Sequence, residues 1–220
     1  MIVQADILSR DEVLAIRKGL DTAPFHDGRV TAGKLAGTVK DNEQARGDDP
    51  NVIALARRIR LAMETHPTVR TWARPLRWSN LMFSRYRTGQ QYGLHTDNAV
   101  IADEHGWPLR TDISFTVFLS DLGSYDGGQL LVRECGGDRS FRLQAGSVIF
   151  YPADQIHAVQ PITRGTRLAC VGWIQSVVRH SDQRKLICDL DQVRSGTSSD
   201  DASLILDKAI ANLLRMWGEH

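Results

Sequence analysis

Hydrophobic positions recur with helical period in two early stretches of the chain. The spacing predicts one helix from about residue 10 to about 21 and a second from about 51 to 65. Ser9 and Glu12 fit a capping box at the start of the first helix. The polar segment 34–50 is predicted to be an exposed loop, which could close over a site as a lid. The apolar stripes of the two helices are Val13, Ile16, Leu20 and Val52, Leu55, Ile59.

From Trp78 onward the pattern changes to short β-rich segments separated by Gly, Pro or Asp. Strands are predicted at about 78–87, 112–120, 128–134, 139–144, 147–151, 157–161 and 166–175. Strands of this number and spacing favour an α+β fold, a double-stranded β-helix (jelly roll) flanked by N-terminal and C-terminal helices. In the second strand Ile113, Phe115, Val117 and Leu119 face one way. Ser114 and Thr116 face the other way, where they line either a pocket or a solvated sheet face.

Three regions are predicted along the chain. Residues 1–77 form an N-terminal helical and loop support region, 78–178 the jelly-roll core and 179–220 a C-terminal helical extension. A short flexible linker at 195–201 is expected to precede a helix from 203 onward, whose apolar stripe includes Ile205, Leu213 and Met216. That stripe could dock on its own chain or on a partner subunit of a homo-oligomer.

Composition fits one globular domain with appended helices, since 42% of the 220 residues are hydrophobic. The net charge is +1 with mixed signs along the chain, so nucleic-acid binding is not expected. No apolar run is long enough for a bilayer and no basic leader precedes one, which favours a cytoplasmic location. Cys135, Cys170 and Cys188 argue against a disulfide framework and are expected to be reduced and buried.

His95, Asp97 and His157 are candidates for a metal site. Residues two apart in an extended segment project from the same face, so His95 and Asp97 can share one metal. His157 follows sixty residues after Asp97, which leaves room for strands to run out and return. Two imidazoles and one carboxylate leave open positions on a metal, as in non-haem Fe(II) oxygenases, whereas structural zinc favours a closed shell.

Arg167 adds a candidate carboxylate-binding group ten residues after His157. Its planar fork of N–H donors matches a carboxylate. The segment 157–167 is predicted as strand, turn and strand, with the turn at 163–166, so that a hairpin returns Arg167 beside His157. 2-Oxoglutarate could then chelate iron through its 2-oxo acid end and reach Arg167 with its distal carboxylate, which leaves one position for O2.

Each of these residues alone has a simpler explanation. A His-x-Asp triplet often arises by chance, a single histidine is often structural and a single arginine is often a surface cation. Their joint spacing favours a shared site. The remaining histidines are interpreted as structural or solvated; they are His26, His66, His105, His180 and His220.

Several motifs together resemble a known family. They are Arg85-Tyr86, His95-Thr96-Asp97-Asn98, Tyr125-Asp126-Gly127-Gly128 and His157…Arg164-Gly165…Arg167…Trp173-Ile174-Gln175-Ser176. The chain resembles the bacterial PKHD-type hydroxylases, which are Fe(II)- and 2-oxoglutarate-dependent dioxygenases related to prolyl 4-hydroxylases. The resemblance extends from Asp27 to roughly Asp191, and the segment after about Arg194 is not matched.

The resemblance implies a hydroxylase that couples its reaction to decarboxylation of 2-oxoglutarate into succinate and CO2. It implies that His95, Asp97 and His157 form the catalytic iron site and that Tyr86 joins Arg167 in binding 2-oxoglutarate. Ascorbate is a candidate reductant. The substrate class stays open between a peptide side chain, a free amino acid and a small iron chelate. Two alternatives also stay open, an oxidative demethylase on the same scaffold and a non-catalytic module that senses iron or 2-oxoglutarate.

Further pocket residues follow from strand periodicity and position. Ser114, Thr116 and Trp173 are candidate cofactor contacts, although Trp173 could equally pack in the core. Candidate substrate contacts are Lys40, Asn42 and Gln44, which alternate as along one edge of an extended segment, and Asn98 beside the metal motif. The competing interpretation of these polar residues is a turn or a solvated loop.

Overall fold

The computed structural model describes residues 1–219, and the interpretation of His220 lies outside the described residues. Within them the chain forms four α-helices and sixteen strands. The helices are α1 (Arg10–Asp21), α2 (Pro50–Thr65), α3 (Ser181–Gly196) and α4 (Asp200–Trp217). The strands are β1 (Val3–Asp6), β2 (Phe25–Asp27), β3 (Lys40–Asp41), β4 (Glu43–Ala45), β5 (Pro75–Trp78), β6 (Met82–Arg87), β7 (Gln91–His95), β8 (Val100–Ala102), β9 (Pro108–Arg110), β10 (Ile113–Phe118), β11 (Tyr125–Gly127), β12 (Leu130–Glu134), β13 (Gly137–Phe141), β14 (Ser147–Pro152), β15 (His157–Val159) and β16 (Ile162–Ser176).

The strands form two main antiparallel sheets, which confirms the predicted jelly-roll class. The large sheet has the order β1-β14-β10-β16-β6-β4-β2, with β5 and β11 also paired to β16. The small sheet has the order β13-β12-β15-β7-β3, and β8 with β9 makes a separate ribbon. The region 1–77, predicted as helical and loop support, therefore also supplies strands to both sheets.

The two predicted N-terminal helices are confirmed, and they cover one face of the large sheet. The capping box is present, because the Glu12 carboxylate accepts from the Ser9 backbone N–H (2.7 Å) and the Ser9 hydroxyl accepts from the Glu12 N–H (3.3 Å). The stripes of α1 and α2 join one hydrophobic cluster with residues of β10, β14 and β16. A smaller cluster, which includes Phe118 and Val132, lies on strands of both sheets.

The predicted alternation along β10 is also found. Ile113, Phe115 and Val117 belong to the cluster that includes the helices. Ser114 and Thr116 are only 2% and 3% exposed, and both line a cavity, so a solvated sheet face is excluded.

Several predicted strands are wrong in extent. The strand at 78–87 is two elements, because β5 ends at Trp78 and β6 begins at Met82. The strand at 139–144 lies earlier, at Gly137–Phe141. Strands not predicted include β1, β2, β8, β9 and β11. The extended segment expected to hold both His95 and Asp97 ends at His95, the last residue of β7. The segment 34–50 is not one exposed loop, since β3 and β4 place Lys40, Asn42 and Gln44 in the interior.

The predicted hairpin between His157 and Arg167 is wrong as well. β15 pairs with β12 and β7 in the small sheet, whereas β16 pairs with β10 and β6 in the large sheet. Residues 163–166 lie within β16 and make no turn. Arg167 therefore belongs to the sheet that faces the metal-ligand strands.

The C-terminal extension is a pair of helices. α3 lies within the predicted helical extension, although no bounds were predicted for it, and the helix predicted from 203 onward begins at Asp200. The linker between the two helices is confined to 197–199. One side of α4, with Ile210, Leu213 and Trp217, packs against its own chain, while Ile205 and Met216 stay exposed. Homo-oligomer formation stays a prediction.

Two further expectations concern membrane-spanning helices and the cysteines. Within residues 1–219, no helix combines the length and apolar character needed to cross a bilayer. All three cysteines are free, but the expectation that all are buried is wrong, since Cys135 is exposed and Cys188 is half-buried.

Candidate metal centre and adjoining pocket

His95, Asp97 and His157 come together at the edges of two neighbouring strands. His95 ends β7, His157 begins β15, and the two residues are direct cross-strand partners. Asp97 lies two residues beyond the end of β7, outside the strand itself. One potential ligand atom from each residue lies within 4.8 Å of the others. The remaining described histidines are not part of this cluster.

Each of the three side chains is held by a second contact. The imidazoles donate from Nδ1 to backbone carbonyls, His95 to Gly93 (2.8 Å) and His157 to Gln155 (2.9 Å). A carbonyl can only accept, so Nδ1 carries the hydrogen and Nε2 is left with a free lone pair. Asp97 Oδ2 accepts from the Ser114 hydroxyl (2.5 Å), and Oδ1 lies 3.7 Å from His157 Nε2. Two imidazole nitrogens and one carboxylate oxygen therefore converge.

Protonation also suits a metal site. Burial, and secondarily the neighbouring His157, lowers the pKa of His95 to about 4. The imidazole of His95 is therefore neutral at neutral pH, which is the form that binds a metal. Tyr92 stacks on the His95 ring with centroids 3.6 Å apart, which further fixes the ring plane.

A cavity of about 300 Å³ opens at the three ligands, and its walls come from both sheets. Every predicted site residue except Arg167 lines it. Trp173 is the cross-strand partner of Ser114, so both residues belong to one wall. The indole N–H of Trp173 is buried without a hydrogen-bond partner in the described chain. Asn98 lines the cavity from an exposed position.

Arg167 lies next to this cavity and is 1% exposed. It is the cross-strand partner of Tyr86, which does line the cavity. Its guanidinium carbon lies 5.4 Å from the Tyr86 ring centroid and 5.3 Å from that of Phe118. In residues 1–219, Nε and Nη2 have no hydrogen-bond partner and no carboxylate lies within 4.0 Å of the guanidinium. Such an arrangement leaves a buried cation without a counter-ion.

Tyr86 completes the surroundings of Arg167. It is 3% exposed, and burial raises its pKa while Arg167 opposes the rise. The hydroxyl thus stays protonated at neutral pH and can donate a hydrogen bond. Gly128 has a φ of +64°, and a Cβ there would lie 2.3 Å from Ile162 Cδ1 and 3.0 Å from Arg167 Cδ. The missing side chain leaves room for the arginine.

Lys40, Asn42 and Gln44 project from the β3–β4 segment and are 6%, 2% and 2% exposed. Lys40 Nζ donates to the Thr31 hydroxyl (2.9 Å), which in turn donates to Gln44 Oε1 (2.5 Å). Neither amide atom of the buried Asn42 makes a well-formed hydrogen bond in the described chain, but the amide lies close enough to the Tyr86 hydroxyl to lower the pKa of Tyr86. The predicted alternation is therefore found, and these polar groups face the cavity.

Other residues at the site were missed from the sequence. Tyr92 and Tyr151 line the cavity and contact the ligand histidines, Tyr92 by stacking and Tyr151 edge-on to His157 at 5.0 Å. Thr31 joins the Lys40 network. Tyr151 is the cross-strand partner of Ser114, but only the strand register shows this.

The residues present fit Fe(II) and a dicarboxylate. The donor set is two neutral imidazoles and one carboxylate, each already oriented through its second polar atom, which suits an octahedral metal with open positions. The unpaired guanidinium of Arg167 offers the fork that a carboxylate requires.

Comparison with known proteins agrees with this chemistry. The family model of the 2OG-Fe(II) oxygenase superfamily matches residues 81–175. A PKHD-type hydroxylase of Acaryochloris marina is 39% identical over 224 aligned positions, covering 100% of both chains. Another of Picosynechococcus sp. is 37% identical over 217 positions, covering 97% of both. HygX from Streptomyces hygroscopicus, solved with nickel and 2-oxoglutarate bound, superimposes with a TM-score of 0.56 at 16% identity, covering 80% of this chain and 84% of that chain.

The similarity also extends to the C-terminus. Because the Acaryochloris relative aligns with the whole chain, the expectation that residues after about Arg194 lack a match is wrong. The chain belongs to the PKHD-type hydroxylases of the 2OG-Fe(II) oxygenase superfamily, a family of oxygenase enzymes.

Proposed function

We propose that this protein hydroxylates a C–H bond of a small-molecule or peptide substrate while 2-oxoglutarate is decarboxylated to succinate and CO2. The observation that carries the proposal is the buried, unpaired guanidinium of Arg167, next to the cavity of three oriented metal ligands. An unpaired buried charge is costly, so its presence calls for an anionic ligand. A dicarboxylate that reaches from the metal ligands to Arg167 supplies that anion.

The proposal gives each wall residue a role. Arg167 and the Tyr86 hydroxyl hold the distal carboxylate of 2-oxoglutarate. Ser114 keeps the Asp97 carboxylate in place through its 2.5 Å hydrogen bond, and Thr116 and Trp173 form the wall beside it. Arg167 is the group on which co-substrate affinity should depend most, because its hydrogen bonds are charge-assisted.

His95 and His157 would hold Fe(II) through Nε2, and Asp97 would hold it through Oδ1. When bound, the iron supplies the redox centre at which O2 is activated. The chain itself has to position the substrate C–H bond and keep water out. Ascorbate as a reductant and a cytoplasmic location stay predictions.

We assign Lys40, Asn42, Gln44 and Asn98 to the substrate side of the cavity. A space of about 300 Å³ accommodates an amino-acid side chain or a molecule of similar size. A peptide side chain, a free amino acid and a small iron chelate are the substrate classes to test.

The first experiment is an anaerobic titration of the Fe(II)-loaded protein with 2-oxoglutarate, monitored through the visible metal-to-ligand charge-transfer band. His157→Ala is the control. We expect a saturable band in the wild type and none in the variant. A folded, iron-loaded wild type without a band would contradict the proposal, because the co-substrate would not chelate the metal at this site.

A second measurement separates turnover from sensing. Succinate formation under O2 is measured with and without pools of peptides, amino acids and iron chelates. We expect at least one pool to increase succinate and to gain a hydroxyl group, detected as added oxygen by mass spectrometry. Binding of 2-oxoglutarate with no turnover in any pool would favour a sensing module. Loss of a methyl group from a substrate would favour a demethylase.

A further inference from the structure

Lys40 is a second cation at this site, and no carboxylate of the described chain pairs with it directly; the negative charges of Asp97 and Asp27 act on it only at longer range. It is 6% exposed, and it lines the cavity of the three metal ligands. Its ammonium offers three N–H donors, of which one binds the Thr31 hydroxyl. No carboxylate among residues 1–219 lies within 4.0 Å of Nζ, so two donors are left for a ligand.

The position of Lys40 is close to the metal ligands. It is the cross-strand partner of Tyr92, and Nζ lies 5.1 Å from the centroid of the Tyr92 ring. The Tyr92 ring also stacks on His95. Tyr92 therefore contacts both Lys40 and the metal ligand His95, so a group bound by Lys40 would lie close to the metal site.

The contacts of Lys40 within the described chain compensate its charge only weakly, since the one charge-dependent contact is the cation–π contact with the Tyr92 ring at 5.1 Å. The acceptor of Lys40 is the neutral hydroxyl of Thr31, and that hydroxyl also contacts Gln44 and the Gly28 carbonyl. A neutral donor would satisfy the same hydroxyl without burying an ammonium. Burial lowers the pKa of Lys40 to about 8, so the side chain still carries its charge at neutral pH.

The formal charges of the loaded site leave one positive charge uncompensated. Lys40 and Asp97 are the charged side chains among the described residues that line the cavity, and Arg167 lies next to it. Fe(II) brings two positive charges and 2-oxoglutarate two negative ones. Asp97 then offsets one of the two cationic side chains. The charge that remains is matched by one negative charge on the substrate.

We infer that the substrate carries a carboxylate that binds Lys40 beside the metal centre. This inference rests on the proposed function and narrows its substrate class to acidic molecules. Asn42, two residues further along the same edge, lines the same cavity and is placed to bind a neighbouring polar group of that substrate.

The test compares matched acids and amides as probes. The Fe(II) protein is saturated with 2-oxoglutarate under anaerobic conditions and titrated calorimetrically with three pairs: benzoate and benzamide, hexanoate and hexanamide, N-acetylglycinate and N-acetylglycinamide. The proteins are wild type, Lys40→Met and, as matched control, Lys208→Met, since Lys208 is exposed on α4. The charge-transfer titration with 2-oxoglutarate is run on all three.

We expect at least one acid to bind the wild type about tenfold or more tightly than its amide, the size of a charge-assisted hydrogen bond. The preference should fall to within about twofold in Lys40→Met and be unchanged in Lys208→Met. The 2-oxoglutarate affinity should be the same in all three proteins.

Three results would overturn the inference. The first is the absence of any acid preference in the wild type, and the second is an acid preference that survives in Lys40→Met. The third is a loss of 2-oxoglutarate affinity in Lys40→Met, which would assign the lysine to the co-substrate and leave the proposed function intact. Failure of the proposed function itself is separate, because the wild type would then show no charge-transfer band at all.

Discussion

Replacement of Lys40 by methionine should make the metal-free protein more stable at neutral pH, even though it removes a hydrogen bond. Burial lowers the pKa of Lys40 from 10.5 to about 8. One pKa unit corresponds to about 1.4 kcal/mol, so holding the ammonium in the folded state costs about 3 kcal/mol. Loss of the bond to Thr31 offsets about 1 kcal/mol of the gain, and loss of the cation–π contact with Tyr92 offsets about 1 kcal/mol more. We expect Lys40→Met to raise the free energy of unfolding by about 1 kcal/mol at pH 7.

The pH dependence gives this expectation a second, independent signature. Below pH 8, Lys40 is protonated in both the folded and the unfolded state, and the full burial cost is present. Between pH 8 and 10.5 the folded protein loses this proton first, so the cost fades as the pH rises. The stability difference between Lys40→Met and wild type should therefore be largest near pH 7 and shrink toward pH 10.

Urea unfolding of both proteins at several pH values between 7 and 10, after removal of metal with a chelator, measures this difference. Lys208→Met is the control, and its free energy of unfolding should stay within about 0.5 kcal/mol of wild type. A variant less stable than wild type at pH 7 would refute the reasoning, because Lys40 would then be a stabilising residue. A difference that does not change with pH would also refute it.

Three other changes test separate parts of the structure. Arg167→Met should raise the Kd for 2-oxoglutarate about 10-fold to 100-fold with iron binding unchanged, since charge-assisted hydrogen bonds are lost. The control Arg164→Met, at an exposed position, should leave this Kd unchanged. If Arg167→Met and wild type bound 2-oxoglutarate equally well, Arg167 would be excluded as the carboxylate partner. Gly128→Ala should raise the same Kd more than Gly89→Ala in the charge-transfer titration. Both positions have positive φ, but only a Cβ at 128 would collide with Ile162 and crowd Arg167. Asp191→Ala should lower the free energy of urea unfolding by about 2 kcal/mol without changing 2-oxoglutarate affinity, because the buried Asp191 carboxylate pairs with the half-buried Arg74 and with Arg194. An unchanged urea midpoint would contradict this.

The parts of the fold that could be predicted are those where one face is apolar and the other polar. The stripes of α1 and α2 and the alternation of β10 have this form, because each element separates a hydrophobic core from water or from a polar cavity. The His-x-Asp…His spacing was also informative. Residue types and intervals alone restricted which metal the site could hold.

The β3–β4 segment shows why the rest could not be predicted. Its residues Lys40, Asn42 and Gln44 are as polar as a surface loop, yet all three are buried. The hydropathy of a side chain predicts whether its surroundings are apolar or polar, but it does not distinguish a polar cavity from solvent. The alternation of these residues was the only sign of a strand, and two-residue and three-residue strands are too short for that sign to be strong.

The error over Arg167 has a different cause. Arg164-Gly165 has the composition of a turn, but Gly165 lies in β16 with a φ of +78°. A Cβ at Gly165 would lie 2.2 Å from the Ser124 carbonyl oxygen, so the glycine is needed where β11 pairs with β16. This need arises between segments forty residues apart and cannot be seen locally.

The consequence of that long strand is that the two cations of the site come from different sheets. Lys40 lies on β3 of the small sheet, which also carries His95 and His157, whereas Arg167 lies on β16 of the large sheet. One carboxylate of 2-oxoglutarate is needed at the metal, so the co-substrate has a single carboxylate left for a cation, and Arg167 is the one that is fully buried and unpaired. Lys40 is then free for a second molecule. A cavity with separate cations for co-substrate and substrate can select both by charge, and saturation with 2-oxoglutarate should leave the acid preference at Lys40 in place.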